Sequence, residues 1–228
     1  MASIKRNTTI AECQKFVKEI YGLNNDRYFN TEDMLTQIQR FAMRGLKGIR
    51  KKDKEKININ LSVSFSWFMS LLNQLHIDID EEVWQRFPYL CSYCATFPCS
   101  CAKKHPLKRK KTFVDENKRP KTLEGFQNMF KGLYPPERRT IEDAGIHLAE
   151  ELGEFSETIL FYRGMHNDKI FKDVALEAAD LFSCYLTTLE SAGINMAEEF
   201  SKIFKNNCNV CKKAPCECSF KEITNFKS

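Results

Sequence analysis

Glycine, proline and long apolar runs are scarce in this chain. Its 228 residues include nine glycines and seven prolines, and no convincing alternation of apolar and polar side chains marks a strand. Low-complexity and β-rich architectures are therefore excluded, and an all-α fold is predicted. No apolar run approaches the length of a bilayer span, and the residues MASIKRNTTI lack the apolar core of a secretion signal. A cytoplasmic protein without a membrane partner is expected.

Cysteine, by contrast, is abundant, and eight of the ten cysteines lie in two copies of one motif. CSYCATFPCSC occupies residues 91–101 and CNVCKKAPCEC occupies residues 208–218, so both read C-x2-C-x4-C-x-C, 117 residues apart. Four clustered thiolates without a secretion signal favour a structural Zn²⁺ site over disulfides, with an iron–sulfur cluster as the alternative. The predicted ligands are Cys91, Cys94, Cys99 and Cys101 in the first motif and Cys208, Cys211, Cys216 and Cys218 in the second. Cys13 and Cys184 fall at apolar helical positions and are interpreted as core residues.

The repeated motif indicates a tandem duplication. Residues upstream of the cysteines match at the same offset, as Phe65 does with Phe182. The predicted organisation is a first repeat at 1–101, a basic linker at 102–121 and a second repeat at 122–228, each repeat being of ordinary domain size. Two helical-bundle repeats that form a pseudo-dimer, each ending in a zinc knuckle, are therefore expected.

The predicted linker is a dense cluster of positive charge. Residues 102–121 contain nine Lys or Arg against two acids, within a chain whose net charge is +5. A solubilising linker is the favoured interpretation. A nucleic-acid contact is the weaker one, because Phe113 is the single aromatic residue among the basic ones.

Four helices are predicted in each repeat from apolar spacing. In the second repeat they cover residues 123–133, 141–161, 171–192 and 196–204. The third is apolar almost all round from residue 181 to 189, which predicts a buried helix. Gly193 is expected to end it, and Asn195 to cap the next helix.

Two acidic motifs lie on the long helices of the second repeat. EELGE supplies Glu150, Glu151 and Glu154, and EAAD supplies Glu177 and Asp180. A spacing of three places Glu151 with Glu154, and Glu177 with Asp180, on one helical face. Carboxylates that converge in apolar surroundings need a cation, and oxygen donors suit Mg²⁺ or Mn²⁺. Taken alone, E-x-x-E more often marks a solvated face, and a di-iron site is disfavoured because Glu-x-x-His is absent.

EELGE, a gap of 22 residues and EAAD together resemble the E-E-x-x-E…E-x-x-D signature of the MazG-like, all-α NTP pyrophosphatases, over roughly residues 123–205. The resemblance implies a Mg²⁺-dependent hydrolase that acts on an acid anhydride, converting an NTP or dNTP to the monophosphate and pyrophosphate. It implies metal ligation by Glu151, Glu154, Glu177 and Asp180, and assembly as a dimer or larger. It leaves the base and the sugar open.

Further residues are candidates for contact with the substrate. Glu150 is adjacent to the acids and is a candidate to orient water. Basic residues near the motifs are candidates for phosphate contact: Lys169, Lys172, Lys202 and Lys205. His147 lies one turn before Glu151, where a structural role is favoured over support of the metal site.

The first repeat lacks every proposed ligand. Opposite the five acids it has Arg40, Phe41, Arg44, Asn60 and Val63. It is therefore predicted to be a non-catalytic partner. The alternative function for the whole chain is a zinc-stapled nucleotide- or nucleic-acid-binding module with a vestigial hydrolase site.

Overall fold

The computed structural model describes residues 4–227, and within that range it contains α-helices and no strand. The helices, in chain order, are α1 (Ile10–Tyr28), α2 (Thr31–Arg50), α3 (Lys54–Leu75), α4 (Ile79–Arg86), α5 (Cys101–Lys104), α6 (Leu123–Leu133), α7 (Ile141–Met165), α8 (Asp168–Ser191), α9 (Met196–Ile203) and α10 (Phe220–Asn225). Two 3₁₀ turns, Glu116–Lys118 and Pro136–Arg138, precede α6 and α7 respectively. The all-α prediction is confirmed.

The long helices begin at side chains that satisfy the free N–H groups of the first turn. Thr9, Asn30 and Thr140 form capping boxes at the starts of α1, α2 and α7. Gly193 follows α8 with a φ of 64°, and the Asn195 side chain accepts from the backbone N–H of Glu198 at the start of α9. The predicted stop and cap in this segment are thus confirmed.

Helix α8 is the central helix of its part of the molecule. Every residue from 181 to 189 is buried, as the absence of a polar face in this stretch of the sequence predicted. The helices α4, α6 and α7 all pack against it. Any polar side chain on α8 therefore needs a partner from one of these neighbours.

The chain forms two compact units whose boundaries differ from those of the predicted repeats. The first unit spans Met1–Asp78 together with Ile194–Ser228, and the second spans Ile79–Gly193. The difference arises because α4 packs against α8, whereas α9 packs against α3. Each unit therefore combines the long helices of one predicted repeat with the short helix and cysteine motif of the other.

The basic segment 102–121 lies inside the second unit instead of between two domains. Trp84 Nε1 donates to Glu116 Oε1 at 2.9 Å, and Arg119 forms an ion pair with Asp80 at 3.0 Å. Trp84 and Asp80 both lie on α4. These contacts attach the segment to α4, so it is not a free linker.

Gly48 permits the close approach of α2 and the start of α3 in the first unit. A Cβ atom at this position would lie 2.9 Å from the backbone nitrogen of Ile57. Because backbone cannot move aside cheaply, Gly48→Ala should lower the free energy of unfolding by about 1–3 kcal/mol. Thermal denaturation followed by circular dichroism measures the change. Gly22→Ala is the matched control: its Cβ would meet one flexible side-chain atom at 3.7 Å, so it should stabilise α1 by about 0.5–1 kcal/mol. Equal effects in the two variants would contradict the prediction.

Candidate metal and substrate site

Three of the four predicted acidic ligands converge. One carboxylate oxygen from each of Glu151, Glu177 and Asp180 lies within 4.8 Å of the others. Glu151 comes from α7 and the other two from α8, so the packing of these two helices creates the group. We refer to Glu151, Glu177 and Asp180 as the carboxylate trio.

Glu154 lies beside the trio without joining it. Its side chain is exposed, and it is absent from the group of oxygens within 4.8 Å. Burial and then the negative charges of Glu151 and Asp180 raise the pKa of Glu154. The carboxylate of Glu154 is therefore close enough to the trio for the charges of Glu151 and Asp180 to act on it. Glu150 is exposed on the next face of α7.

The trio contains two oxygen atoms that lack a hydrogen-bond partner. Glu151 Oε2 and Glu177 Oε2 are buried and have no hydrogen-bond partner. Burial, followed by the charges of Asp180 and Glu151, raises the pKa of Glu177 to about 7. Buried oxygens of this kind are rare in folded proteins, because an unpaired polar group loses its hydration without replacement. A bound cation would satisfy both atoms at once.

Asp180 is held by an arginine that the sequence did not single out. Arg86 Nε donates to Asp180 Oδ1 at 3.0 Å, and Arg86 Nη2 donates to Asp180 Oδ2. The two side chains are 12% and 11% exposed. Burial lowers the pKa of Arg86, but the hydrogen bonds and charges of Asp180, Glu177 and Glu151 outweigh it and raise the pKa.

His147 holds the other oxygen of Glu151. His147 Nε2 lies 3.0 Å from Glu151 Oε1, and His147 Nδ1 lies 3.5 Å from Cys184 Sγ. These two contacts, that with Cys184 first, raise the pKa of His147 to about 11. The contact fixes one carboxylate oxygen of Glu151, whereas Oε2 is buried without a hydrogen-bond partner. Cys184 is buried, as predicted, and is also a contact of this histidine.

A cleft of about 310 Å³ lies next to the trio in the second unit. Its wall includes Glu151 and Asp180 together with the basic side chains Arg109, Arg139 and His147. Arg139 is fixed by bonds to Thr187 O at 2.9 Å and Ser191 Oγ at 3.2 Å. Arg109 Nη2 lies 3.9 Å from Asp180 Oδ2. The cleft therefore offers negative ligands for a cation beside positive groups for an anion.

The four predicted lysines are weaker candidates for phosphate contact than these arginines. Lys169 and Lys172 are exposed in the first turns of α8. Lys202 forms ion pairs with Glu198 at 2.7 Å and Glu199 at 2.6 Å on α9. Lys202 and Lys205 belong to the first unit, whereas the trio belongs to the second.

The two cysteine motifs form compact groups of four thiols. Within each group the sulfur atoms lie within 4.8 Å of one another. Sulfur–sulfur distances are 3.7 Å for Cys91–Cys101 and 3.8 Å for Cys211–Cys216. Four thiolates at about 2.3 Å from a tetrahedral metal ion are separated by about 3.8 Å, so a single ion fits each group. An iron–sulfur cluster places several atoms between its cysteines and would hold them further apart. Each group can thus hold structural zinc.

Each cysteine group is attached to a helix distant in sequence. The backbone N–H of Cys99 donates to Leu133 O on α6 at 2.9 Å, and that of Cys216 donates to Ile20 O on α1 at 2.7 Å. Tyr134 Oη donates to Cys91 Sγ at 3.6 Å. Cys91, Cys99 and Cys101 also line the cleft beside the trio. The first cysteine group therefore lines part of the candidate site and also attaches its own segment to α6.

The first unit contains a smaller cavity, of about 50 Å³. In the sequence alignment of the two repeats, Tyr21, Phe41, Val63 and Phe204 correspond to Tyr134, Glu151, Asp180 and Phe87. The first four line this cavity, and the other four line the second-unit cleft. Phe226 also lines it, and Phe226 O accepts from Arg40 Nη2 at 2.5 Å and from Arg44 Nη1 at 3.5 Å. These two arginines thus contact the C-terminal segment of their own unit.

Over the residues that the structure describes, the fold is helical, and the candidate metal groups include two four-cysteine groups and the carboxylate trio. Comparisons with protein-family models, with curated proteins and with solved structures find no match. Among residues 4–227, no helix has the length and apolar character of a membrane span.

Proposed function

We propose that this protein is a Mg²⁺-dependent nucleoside triphosphate pyrophosphohydrolase with one catalytic site, in the second unit. The observation that carries the proposal is the pair of buried, unpartnered oxygens, Glu151 Oε2 and Glu177 Oε2, within the carboxylate trio. Carboxylates packed in this way are stable when a divalent cation neutralises them. The acidic motifs of the MazG-like pyrophosphatases, which EELGE and EAAD resemble, support the same site.

The donor set fits Mg²⁺ or Mn²⁺. All the candidate ligands are carboxylate oxygens, which these hard cations prefer over the nitrogen and sulfur donors of zinc sites. Glu151, Glu177 and Asp180 would hold the ion, with Glu154 one turn away as the fourth candidate. When bound, the ion supplies charge neutralisation of the phosphates and lowers the pKa of a ligated water. His147 keeps Glu151 in place, since it fixes Oε1 at 3.0 Å.

The cleft supplies the groups that a triphosphate requires. Its volume of about 310 Å³ lies at the lower end of the range for small-molecule sites. Arg109 and Arg139 line it on the side of Asp180 and Thr187. Arginine beside a cation-binding acid cluster suits phosphate, because both the cation and the guanidinium attract the same anion.

The two units differ in whether they have acidic side chains at the positions of the proposed metal ligands. In the first unit, Phe41 and Val63 stand where the second has Glu151 and Asp180, and both are buried. The residues that line the first-unit cavity include no carboxylate that could ligate Mg²⁺, so the first unit is proposed as the non-catalytic partner. A tandem duplication in which one copy kept the acids accounts for the difference.

A panel of NTPs and dNTPs with Mg²⁺ tests the function. We expect release of pyrophosphate and not orthophosphate, and loss of turnover when Mg²⁺ is chelated while zinc is retained. The panel also reports base and sugar preference. Glu157→Gln is the matched control, because Glu157 is exposed on α7 outside the trio and should leave the rate unchanged.

Two other results would reject the proposal. Release of orthophosphate would indicate a different phosphoanhydride reaction. Nucleotide binding without turnover across the whole panel would favour the zinc-stapled binding module. The Arg86–Asp180 ion pair supports that alternative, because it already neutralises part of the negative charge of the trio.

A further inference from the structure

We propose that Arg86 is a gate on the carboxylate trio: it holds Asp180 when no cation is bound, and it releases Asp180 to a bound cation and turns to a phosphate of the substrate. The phosphate half rests on the proposed function. The cation half concerns Arg86 and the trio alone, and it can be tested without hydrolysis.

The geometry of the ion pair places Arg86 in competition with a cation. Arg86 Nε and Nη2 occupy both carboxylate oxygens of Asp180. Two further oxygens of the trio, Glu151 Oε2 and Glu177 Oε2, have no hydrogen-bond partner. A cation that takes an oxygen from each member would lie beside the guanidinium group of Arg86, so two positive charges would compete for Asp180. The trio is free of this competing charge only when Arg86 turns away.

Arg86 needs a second anion once Asp180 is released. The side chain is 12% exposed, so water cannot fully replace the carboxylate. Its planar fork suits a phosphate as well as a carboxylate, with two parallel hydrogen bonds in either case. Arg86 is the last residue of α4, and its long side chain can change rotamer while the helix backbone stays as it is.

The neighbouring arginines are less suited to this exchange. Arg139 is anchored to Thr187 O and Ser191 Oγ, both at hydrogen-bond distance. Arg109 Nη2 lies 3.9 Å from Asp180 Oδ2 and its side chain is 49% exposed. Arg139 is thus a fixed part of the cleft wall and Arg109 a solvated one, whereas Arg86 has a buried bidentate contact with a candidate ligand.

The first unit supports a link between Arg86 and the acids. The residue 117 positions after Arg86 is Ile203, and the residue 117 positions before Asp180 is Val63. These residues lie on α9 and α3, which pack against each other as α4 packs against α8. The arginine is therefore replaced in the unit that lacks the acids, while the helix packing is kept.

Manganese titration of the zinc-loaded, full-length protein tests the gate, with free Mn²⁺ followed by electron paramagnetic resonance. Arg86→Ala should bind Mn²⁺ at least about tenfold more tightly than the wild type, because Asp180 no longer has a competing partner. Mn²⁺ should also raise the melting temperature of Arg86→Ala more than that of the wild type. In hydrolysis assays the KM for the nucleotide should rise about tenfold, because the phosphate loses its contact.

Three matched variants make the result decisive. Glu177→Gln removes a trio ligand and gives the background of Mn²⁺ bound elsewhere. Arg119→Ala removes an arginine that pairs with Asp80 and Glu81 of α4 and should leave Mn²⁺ affinity unchanged. Arg86→Lys keeps the charge without the fork, so its Mn²⁺ affinity should lie between those of wild type and Arg86→Ala; it replaces the alanine variant in the comparison if the latter does not fold.

The outcomes separate the gate from the function. Folded Arg86 variants that bind Mn²⁺ no more tightly than the wild type overturn the gate, even if the wild type hydrolyses nucleotides. Tighter binding without any hydrolysis by the wild type supports the cation half of the gate and rejects the proposed function. Binding no stronger than that of Glu177→Gln in every variant overturns both.

Discussion

Glu177→Gln and Asp180→Asn should each reduce pyrophosphate release by a factor on the order of a thousand, because each removes a carboxylate from the proposed cation site. Both changes conserve size and keep α8 intact. Pyrophosphate release under saturating Mg²⁺ and nucleotide measures the effect. Circular dichroism verifies that the helical content is retained.

The two variants should differ in stability while agreeing in activity. Burial beside Asp180 and Glu151 raises the pKa of Glu177 from 4.5 to about 7. Ionisation of Glu177 therefore destabilises the folded state increasingly as the pH rises from 4.5 to about 7, and the full effect is present above about pH 7. A neutral glutamine relieves this repulsion, and the melting temperature in the absence of Mg²⁺ should rise, by about 2–4 °C for each kcal/mol relieved. Asp180→Asn should instead lower it, since Arg86 loses its charged partner.

Glu157→Gln separates these effects from a general change of charge on the helices. It removes one carboxylate from the exposed surface of α7 and should change neither rate nor melting temperature measurably. Full activity of both Glu177→Gln and Asp180→Asn would refute the site. A loss of activity accompanied by loss of helix would show that the variants are misfolded, and Glu151→Gln would then carry the test.

Cys208→Ser and Cys91→Ser should each lower the melting temperature by about 10 °C or more, because each opens a four-cysteine site whose metal contributes directly to folding. Elemental analysis should find close to two zinc ions in the wild type and close to one in each variant. A brown protein with visible charge-transfer absorption would contradict the assignment to zinc.

The two cysteine variants should differ in activity. Cys91 lines the cleft beside the trio and accepts from Tyr134 Oη at 3.6 Å, so Cys91→Ser should also lower the hydrolysis rate. Cys208 lies in the first unit, among apolar residues around a different cavity. Cys208→Ser should keep the rate within about twofold at temperatures where it is folded, as for independent sites. Equal losses of rate would contradict the assignment of catalysis to the second unit alone.

The helices themselves were accessible from sequence, because their signals are local. Leu123–Leu133 is found with the predicted bounds, and the next helix extends to Met165 instead of residue 161. The apolar run on α8, its stop at Gly193 and the cap at Asn195 are confirmed for the same reason. Caps and periodicity involve residues a few positions apart, so they can be recognised before the chain is folded.

Two spacings along the chain determined most of the candidate chemistry. C-x2-C-x4-C-x-C brings its four sulfurs within 4.8 Å of one another in both copies, because a short loop can place all four ligands. The three-residue spacing within EAAD likewise puts Glu177 and Asp180 on one face of α8, and both join the trio. The same spacing in EELGE gave an incomplete answer, since the exposed side chain of Glu154 stays outside the group.

Only the tertiary structure decided which parts of the chain share a unit and which side chains complete the site. Arg86 reaches Asp180 because α4 packs on α8, and the two residues are 94 positions apart. The contact between His147 and Cys184 likewise joins α7 to α8. A sequence states which residues are available and how neighbours are spaced. It does not state which helical surface a short helix will cover, because α4 and α9 are each eight residues long and bury three residues, and the choice between surfaces depends on the packing of the whole chain.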